Sequence, residues 1–300
     1  MNWKNFIEDY LHFLKLERGL SENSILAYQQ DVIKLVQFLD VQEIEISPVE
    51  IQKEVIQKFI YEVSKIVEVR TQARIISGLK SFFDFLIFEN YRKENPLDLI
   101  EAPKIGRKLP DTLTIEEIDE LIGLIDFTKA EAQRNHTLLE TLYSCGLRVS
   151  ELVTLKISDL FFEEEFIRVI GKGNKQRLIP IAKETQRLIE TYINESRGLL
   201  KIDPAHTDTL FLNRRGKGLT RVMIFTIIKR LKELSSITKT ISPHTFRHSF
   251  ATHLLENGAN LRAIQQMLGH ESITSTEIYL HLDKTHLRNA VELFHPRSIS

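Results

Sequence analysis

Seven polar residues between positions 148 and 279 have side chains that could act on a phosphoryl group. They are Arg148, Glu151, Lys172, His244, Arg247, His270 and Tyr279. A guanidinium matches the two non-bridging oxygens of a phosphodiester and stays charged at all pH. A tyrosine hydroxyl can attack phosphorus if an imidazole takes its proton, and a lysine can protonate the leaving oxygen. The set therefore predicts transfer of a phosphoryl group, in which two arginines take the role that metal ions have in other enzymes of this kind.

Each of these residues also has an ordinary structural explanation. Arg148 and Glu151 lie one helical turn apart and would form a salt bridge. Lys172 would be a solvated turn residue, and Tyr279 a core aromatic with its hydroxyl at the surface. A metal site on His244, His248 and His253 is a further alternative, but no acidic or thiolate partner lies nearby, so we predict no metal and no cofactor. The order and spacing of the whole set favour catalysis.

The composition is that of an ordinary globular protein, with 42% hydrophobic and 27% charged residues and a net charge of −1. Three hundred residues exceed one typical core, so we expect two domains. No apolar run is long enough to span a membrane, and the N-terminus is no signal peptide, so we predict a cytoplasmic protein. The single cysteine, Cys145, excludes an internal disulfide and a thiolate zinc site, and it reads as a core residue. Basic loops at 172–177 and 214–217 could bind a phosphate backbone.

Four amphipathic helices are predicted for an N-terminal domain over residues 1–94. Apolar spacing and capping residues place them at 3–16, 21–39, 47–63 (with Pro48 at the first helical position) and 70–89. Residues 95–111 hold three prolines and three basic residues, which predicts an extended linker.

A second domain is predicted over residues 112–300, with short strands among helices. A capping box at Thr114 starts a helix through Ile125. Strands at 161–170 and 176–181 predict a hairpin with Lys172 at its tip, and a further strand is expected at 210–212. Ser242-Pro243 starts a helix through Glu256, and Gly269 ends the next one. A helical tail follows from about residue 284.

The motifs at residues 146–152, 171–175, 243–253 and 268–270, together with Tyr279, resemble the tyrosine recombinases. The resemblance is greatest to their XerC/XerD branch and covers essentially the whole chain. It implies a mainly α fold with a small β-sheet in the C-terminal domain. A four-helix, SAM-like domain and a catalytic domain would together clamp DNA.

The resemblance implies DNA strand transfer without metal or ATP in the chemical step, by transesterification like that of type IB topoisomerases. Tyr279 would attack the scissile phosphate and form a 3′-phosphotyrosyl link. Lys172 would protonate the leaving 5′-oxygen, while His244 and His270 would assist proton transfer and hydrogen bonding.

The remaining motif residues would bind the phosphate. Arg148 and Arg247 would hold the non-bridging oxygens, and Glu151 would orient Arg148 rather than transfer a proton itself. The tail from about 284 would dock into a neighbouring subunit, with folding back on its own domain as the alternative.

The resemblance also implies partners. The protein would bind double-stranded DNA and form a tetramer on two sites, with itself or with a paralogous recombinase. A septal DNA translocase is a further candidate partner. Resolution of chromosome dimers at a dif-like site is the expected role. A mobile-element integrase and a non-catalytic DNA-binding protein of the same fold are the alternatives.

Overall fold

The structure is a computed structural model that describes residues 3–103, 111–171, 174–269 and 284–299. The chain divides into two compact units, Met1–Lys108 and Leu109–Ser300. Both are mainly helical, and one small sheet lies in the second unit, which confirms the predicted fold class. Within the described ranges, no helix combines the length and the hydropathy that a bilayer span requires.

The described part of the first unit is a four-helix domain. Its helices are α1 (Trp3–Leu16), α2 (Glu22–Val41), α3 (Lys53–Ser64) and α4 (Val69–Phe88). Ser21 caps α2 as predicted, because its hydroxyl accepts the backbone N–H of Ser24 at 3.4 Å. The fully buried rings of Tyr10 and Phe82 meet edge to face at 5.3 Å in the core. Burial of such a ring contributes about 2 kcal/mol relative to an exposed one.

The predicted helix start at Ser47–Pro48 is wrong, since α3 begins at Lys53. Residues 47–51 form a separate turn, in which the backbone N–H of Ile51 donates to the Ser47 carbonyl at 3.0 Å. Arg92 Nη1 donates to three carbonyl oxygens of this turn at 2.8 to 3.0 Å. Those carbonyls are therefore not free to accept the N–H groups of a following helix.

The first residues of the predicted linker pack against the first unit. Asn95 donates to the Lys80 carbonyl at 3.0 Å and to Asp84 Oδ1 at 2.7 Å. Leu97 is fully buried in the core. Residues 95–97 therefore continue the fold of the first unit. Residues 104–110 lie outside the described residues, and the predicted domain boundaries remain predictions.

The described part of the second unit holds nine α-helices around one core. They are α5 (Ile115–Gly123), α6 (Ala132–Ser144), α7 (Val149–Thr154), α8 (Lys183–Thr191), α9 (Arg221–Leu234), α10 (Pro243–Glu256), α11 (Leu261–Leu268), α12 (Lys284–Phe294) and α13 (Pro296–Ile299). The predicted capping box of α5 is present. Thr114 N–H donates to Glu117 Oε2 at 2.8 Å, and Glu117 N–H donates to Thr114 Oγ1 at 3.2 Å. Cys145 is fully buried, as predicted.

The sheet has three antiparallel strands in the order β1 (Leu160–Phe161), β2 (Phe166–Ile170) and β3 (Gln176–Pro180). The predicted hairpin is the β2–β3 pair, with Ile170 opposite Gln176. A turn at Glu165, which has φ of 60°, divides the single strand predicted over 161–170. The strand predicted at 210–212 is wrong, because that segment is buried but makes only isolated bridges through Thr209 and Leu212.

Glycines end the two helices next to the candidate site. Asn257 and Gly258 end α10, and Gly269 ends α11 in the left-handed conformation with φ of 63°. A Cβ at Gly269 would lie 3.1 Å from Cδ of Arg177, so the arginine side chain packs closely on this backbone.

The helices of the tail pack against their own unit. Arg297 Nη2 lies 2.6 Å from Asp119 Oδ1 and 2.9 Å from Glu140 Oε1. His295 is fully buried, and its ring is 5.0 Å from that of Tyr143. In the single chain the tail therefore occupies its own domain, which is the alternative to exchange. Docking into a neighbouring subunit remains a prediction about an assembly.

Candidate active site

Arg148 and Glu151 form the centre of the site at the start of α7. Arg148 is the N-cap residue, and its backbone N–H donates to Glu151 Oε2 at 2.8 Å. Its guanidinium donates to Glu151 Oε1, also at 2.8 Å. Gly146, two residues earlier, has φ of 56°, and a Cβ there would collide with the ring of Phe250. This glycine therefore lets the α6–α7 turn pack directly on α10.

Arg247 approaches the same carboxylate from α10. Its Nη1 donates to the Gly146 carbonyl at 2.8 Å, and its Nη2 donates to the Leu268 carbonyl. Nη1 also lies 3.7 Å from Glu151 Oε2. Backbone carbonyls on two sides thus hold Arg247, whose side chain is 10% exposed.

A third arginine, Arg177 on β3, completes the cluster. Its Nη1 and Nη2 donate to the two oxygens of Glu151 at 2.7 and 2.9 Å, and its Nε donates to the Met267 carbonyl at 2.6 Å. The sequence interpretation placed Arg177 in a basic loop that could bind a phosphate backbone, at the start of the strand predicted over 176–181, and missed this role. The available signal was strand alternation, because Arg177 shares the inward face of β3 with Ile179.

The cluster carries two net positive charges, because three guanidinium groups share one carboxylate. Burial alone raises the pKa of Glu151, but the hydrogen bonds and charge of Arg177 and the contacts with Arg148 outweigh it and lower the pKa to about 2. Burial and the charge of Arg148 lower the pKa of Arg247 to about 9. At neutral pH Glu151 and Arg247 are therefore ionised, and the surplus positive charge of the cluster favours an external anion.

Arg148 is the arginine of the cluster that reaches solvent. Its side chain is 33% exposed, against 6% for Arg177 and 10% for Arg247. Its Nη2 is 3.4 Å from the Gly269 carbonyl and makes no shorter hydrogen bond among the described residues. An anion that reached the cluster would meet this guanidinium first.

The other predicted site residues relate to the cluster in different ways. His244 is exposed in the first turn of α10, one helical turn before Arg247. Lys172, His270 and Tyr279 lie outside the described residues. The residues immediately before two of them are described: Gly171 N–H donates to the Lys175 carbonyl at 2.8 Å, and Gly269 lies against Arg148.

The histidines of the metal alternative have separate environments. His253 is buried, and its Nδ1 lies 2.7 Å from the hydroxyl of Tyr143. Burial lowers the pKa of His253, so the ring is neutral near pH 7. No group of three metal-ligating side chains occurs within the described ranges.

Two domain profiles and several named relatives match this chain. The profile described as "Phage integrase family" matches residues 111–286, and "Phage integrase, N-terminal SAM-like domain" matches residues 7–90. A relative named "Tyrosine recombinase XerD" from Staphylococcus haemolyticus (strain JCSC1435) is 43% identical over 297 residues, which are 98% of this chain and 100% of the relative. A relative of the same name from Listeria monocytogenes serotype 4b (strain F2365) is 41% identical, covering 98% and 99% of the two chains.

Solved structures share the fold. The structure of XerH site-specific recombinase bound to palindromic difH substrate superposes with a TM-score of 0.72 at 23% identity, covering 96% of this chain and 84% of that chain. The chain therefore belongs to the phage integrase family. Within the family it is an enzyme of the tyrosine recombinase class, on the XerC/XerD branch, as the motifs predicted.

Proposed function

We propose that this recombinase cleaves and rejoins double-stranded DNA through a 3′-phosphotyrosyl link to Tyr279. The observation that carries the proposal is the cluster of Arg148, Arg177 and Arg247 on Glu151, with its two net positive charges. A phosphodiester is a monoanion with two equivalent oxygens, and guanidinium groups match that geometry. The surplus charge would stabilise the transition state, in which negative charge increases on those oxygens.

The arginines are held before any substrate arrives. Glu151 fixes Arg148, and two backbone carbonyls fix Arg247. Such preorganisation costs no rearrangement at the moment of reaction. Glu151 stays ionised, since its pKa is lowered to about 2, and it therefore orients the arginines rather than donating a proton.

The bond changes balance as a transesterification. The Tyr279 oxygen forms a bond to phosphorus, the P–O5′ bond breaks, and the phenol proton passes to an imidazole, His244 or His270. Lys172 gives a proton to the 5′-oxygen. Rejoining reverses these steps, with a 5′-hydroxyl as the nucleophile. The number of phosphodiester bonds is conserved, so the step needs no external energy source.

The biological role that we infer is resolution of chromosome dimers at a dif-like site. Identity of 43% to a protein named XerD, over 98% of this chain, supports it over a mobile-element integrase. The matches to structures of phage and transposon integrases are at 18% and 23% identity, so they support only a shared fold. The enzyme would act in the cytoplasm as a tetramer on two DNA sites, with itself or a paralogue, under a septal translocase.

Covalent trapping tests the chemistry. A dif-like duplex nicked next to the cleavage point loses its 5′-end after cleavage, so a phosphotyrosyl adduct should accumulate and survive denaturation. Tyr279→Phe should bind the duplex and give no adduct, and excess chelator should not change the wild-type yield. A non-catalytic DNA-binding protein would bind the site and give no adduct in either form.

The assignment of Lys172 has its own test. Lys172→Ala should cleave a normal duplex about 10³-fold more slowly, because the 5′-oxygen leaves without its proton. A substrate with a bridging 5′-sulfur has a better leaving group and should restore most of the rate, measured in single turnover. A defect of equal size on both substrates would exclude Lys172 as the general acid.

A further inference from the structure

Arg177 connects three segments of the site, although no motif of the chemistry includes it. It lies on β3, the strand that follows the predicted loop of Lys172. It makes two hydrogen bonds to Glu151 on α7 and one to the Met267 carbonyl at the end of α11. Met267 is three residues before His270. One side chain thus joins the sheet to both of the other segments.

The hydrogen bonds of the Arg177 guanidinium go to other parts of the protein and position them. Arg177 is 6% exposed, so it is not available to a substrate in the way that Arg148 is. It supplies two of the four hydrogen bonds that Glu151 accepts within the described residues. Its side chain also packs against Gly171 and Gly269, where a Cβ would come within 3.5 and 3.1 Å of its atoms.

We propose that Arg177 is a positioning residue for strand cleavage. It holds the Glu151 carboxylate in the position where the carboxylate binds Arg148 and lies beside Arg247, and it fixes the α11 terminus that leads to His270. Lysine cannot reproduce this role, because an ammonium cannot bind both carboxylate oxygens and a carbonyl in one plane. The inference rests on the cleavage reaction proposed above.

The first experiment compares Arg177→Lys with the wild type in single-turnover cleavage of the nicked duplex. We expect a rate lowered about 10- to 100-fold, as for other residues that orient catalytic groups, with DNA affinity within about threefold. Arg168→Lys is the matched control. Arg168 lies on the neighbouring strand β2 and pairs with buried Asp159 at 2.8 Å, away from Glu151. The Arg168→Lys variant should cleave at the wild-type rate.

A double-mutant cycle separates positioning from general loss of fold. If Arg177 acts through Glu151, then adding Arg177→Lys to the Glu151→Gln variant should lower the cleavage rate by less than about a further threefold. If Arg177→Lys caused only a general structural defect, its loss of cleavage rate would multiply with the loss caused by Glu151→Gln. Thermal melting of each variant sets a temperature at which all of them remain folded.

The pH profile is a second readout. Among the residues that the structure describes, Arg148, Arg177 and Arg247 are the charged groups that face Glu151, and burial opposes them by raising its pKa. Arg177→Met removes one cation, so the pKa of Glu151 rises. As the pH is lowered, the rate of this variant should therefore begin to fall at a higher pH than the rate of the wild type.

Three results would overturn the proposal: cleavage by Arg177→Lys within about twofold of the wild type, an equal loss of DNA affinity, or full additivity with Glu151→Gln. A wild type that forms no adduct would instead overturn the proposed function, and the inference with it.

Discussion

Two buried carboxylates of the second unit meet arginines in opposite proportions. Glu151 is 2% exposed and faces three guanidinium groups. Burial raises its pKa, but the contacts with Arg177 and Arg148 outweigh burial and lower the pKa to about 2. The side chain of Glu140 is 9% exposed and shares one arginine of the tail, Arg297, with Asp119. Burial raises the pKa of Glu140, and the attraction of Arg297 does not compensate for it.

The difference shows that the contact at Arg297 is complete within the chain, whereas the cluster at Glu151 has positive charge left for a ligand. Around Glu151 there is surplus positive charge, so the cluster is best satisfied when an anion joins it. Around Arg297 the carboxylates outnumber the cation, and the contact involves only the chain itself. The first arrangement fits a binding site, and the second fits a fastening between the tail and its own domain.

The largest effect should come from removing an arginine that faces the proposed anion. Arg148→Ala or Arg247→Ala should slow single-turnover cleavage about 10³-fold, since a clamp on the transition state acts on the rate. DNA affinity, measured by titration of a labelled duplex, should change much less. Arg168→Ala is the control on the same unit. Parallel losses of rate and affinity would show that the cluster binds ground-state DNA only.

The two glutamates should respond oppositely to acid. The folded-state pKa of Glu151 is below its ordinary value, so its contribution to stability is present above about pH 4.5 and is lost as pH falls towards about 2. The shift corresponds to roughly 3 kcal/mol. The pKa of Glu140 is raised, so its contribution is lost as pH rises through its unfolded-state value towards the folded one.

Glutamine variants measure this contrast. Glu151→Gln should lower the free energy of unfolding at pH 7 by roughly 3 kcal/mol and reduce the loss of stability in acid. Glu140→Gln should change it by under about 1 kcal/mol, since the amide needs no charge compensation. Urea titrations followed by circular dichroism provide the values. The single tryptophan, Trp3, belongs to the first unit, so its fluorescence transition serves as the internal control. Equal effects of the two variants would contradict the comparison.

Local signals in the sequence predicted most of the fold and part of the site. Ser21 and Thr114 mark helix starts because a side chain and a backbone N–H only three residues apart make the contact. Arg148 and Glu151 are likewise one turn apart, so their pairing could be predicted from spacing.

Contacts between distant residues were not predictable from spacing. Arg177 and Glu151 are 26 residues apart and on different elements. Strand alternation indicates that Arg177 faces inward, but it does not indicate which carboxylate Arg177 meets. The turn at Pro48 depends in the same way on Arg92, 44 residues later. Local patterns favoured a helix there, but a guanidinium from elsewhere binds the carbonyls that the helix would have used.

An effect confined to the tail should come from Arg297→Ala, which removes the cation that Glu140 and Asp119 share. Glu140 would then take up a proton more readily, because its pKa is already raised, and this limits the cost to about 1–2 kcal/mol. Amide hydrogen exchange should become faster in residues 284–299 and remain unchanged in α1–α4. Lys129→Ala, which removes only an exposed pair with Asp126, should alter neither region.

The cleavage rate of Arg297→Ala decides whether the two regions are independent. Its covalent adduct should form at close to the wild-type rate in single turnover, because neither Arg297 nor Glu140 contacts Glu151 or its arginines among the described residues. Faster exchange throughout the second unit together with a slower rate would mean that the tail supports the cluster. In that case the contact at Glu140 could not be released without loss of the site at Glu151.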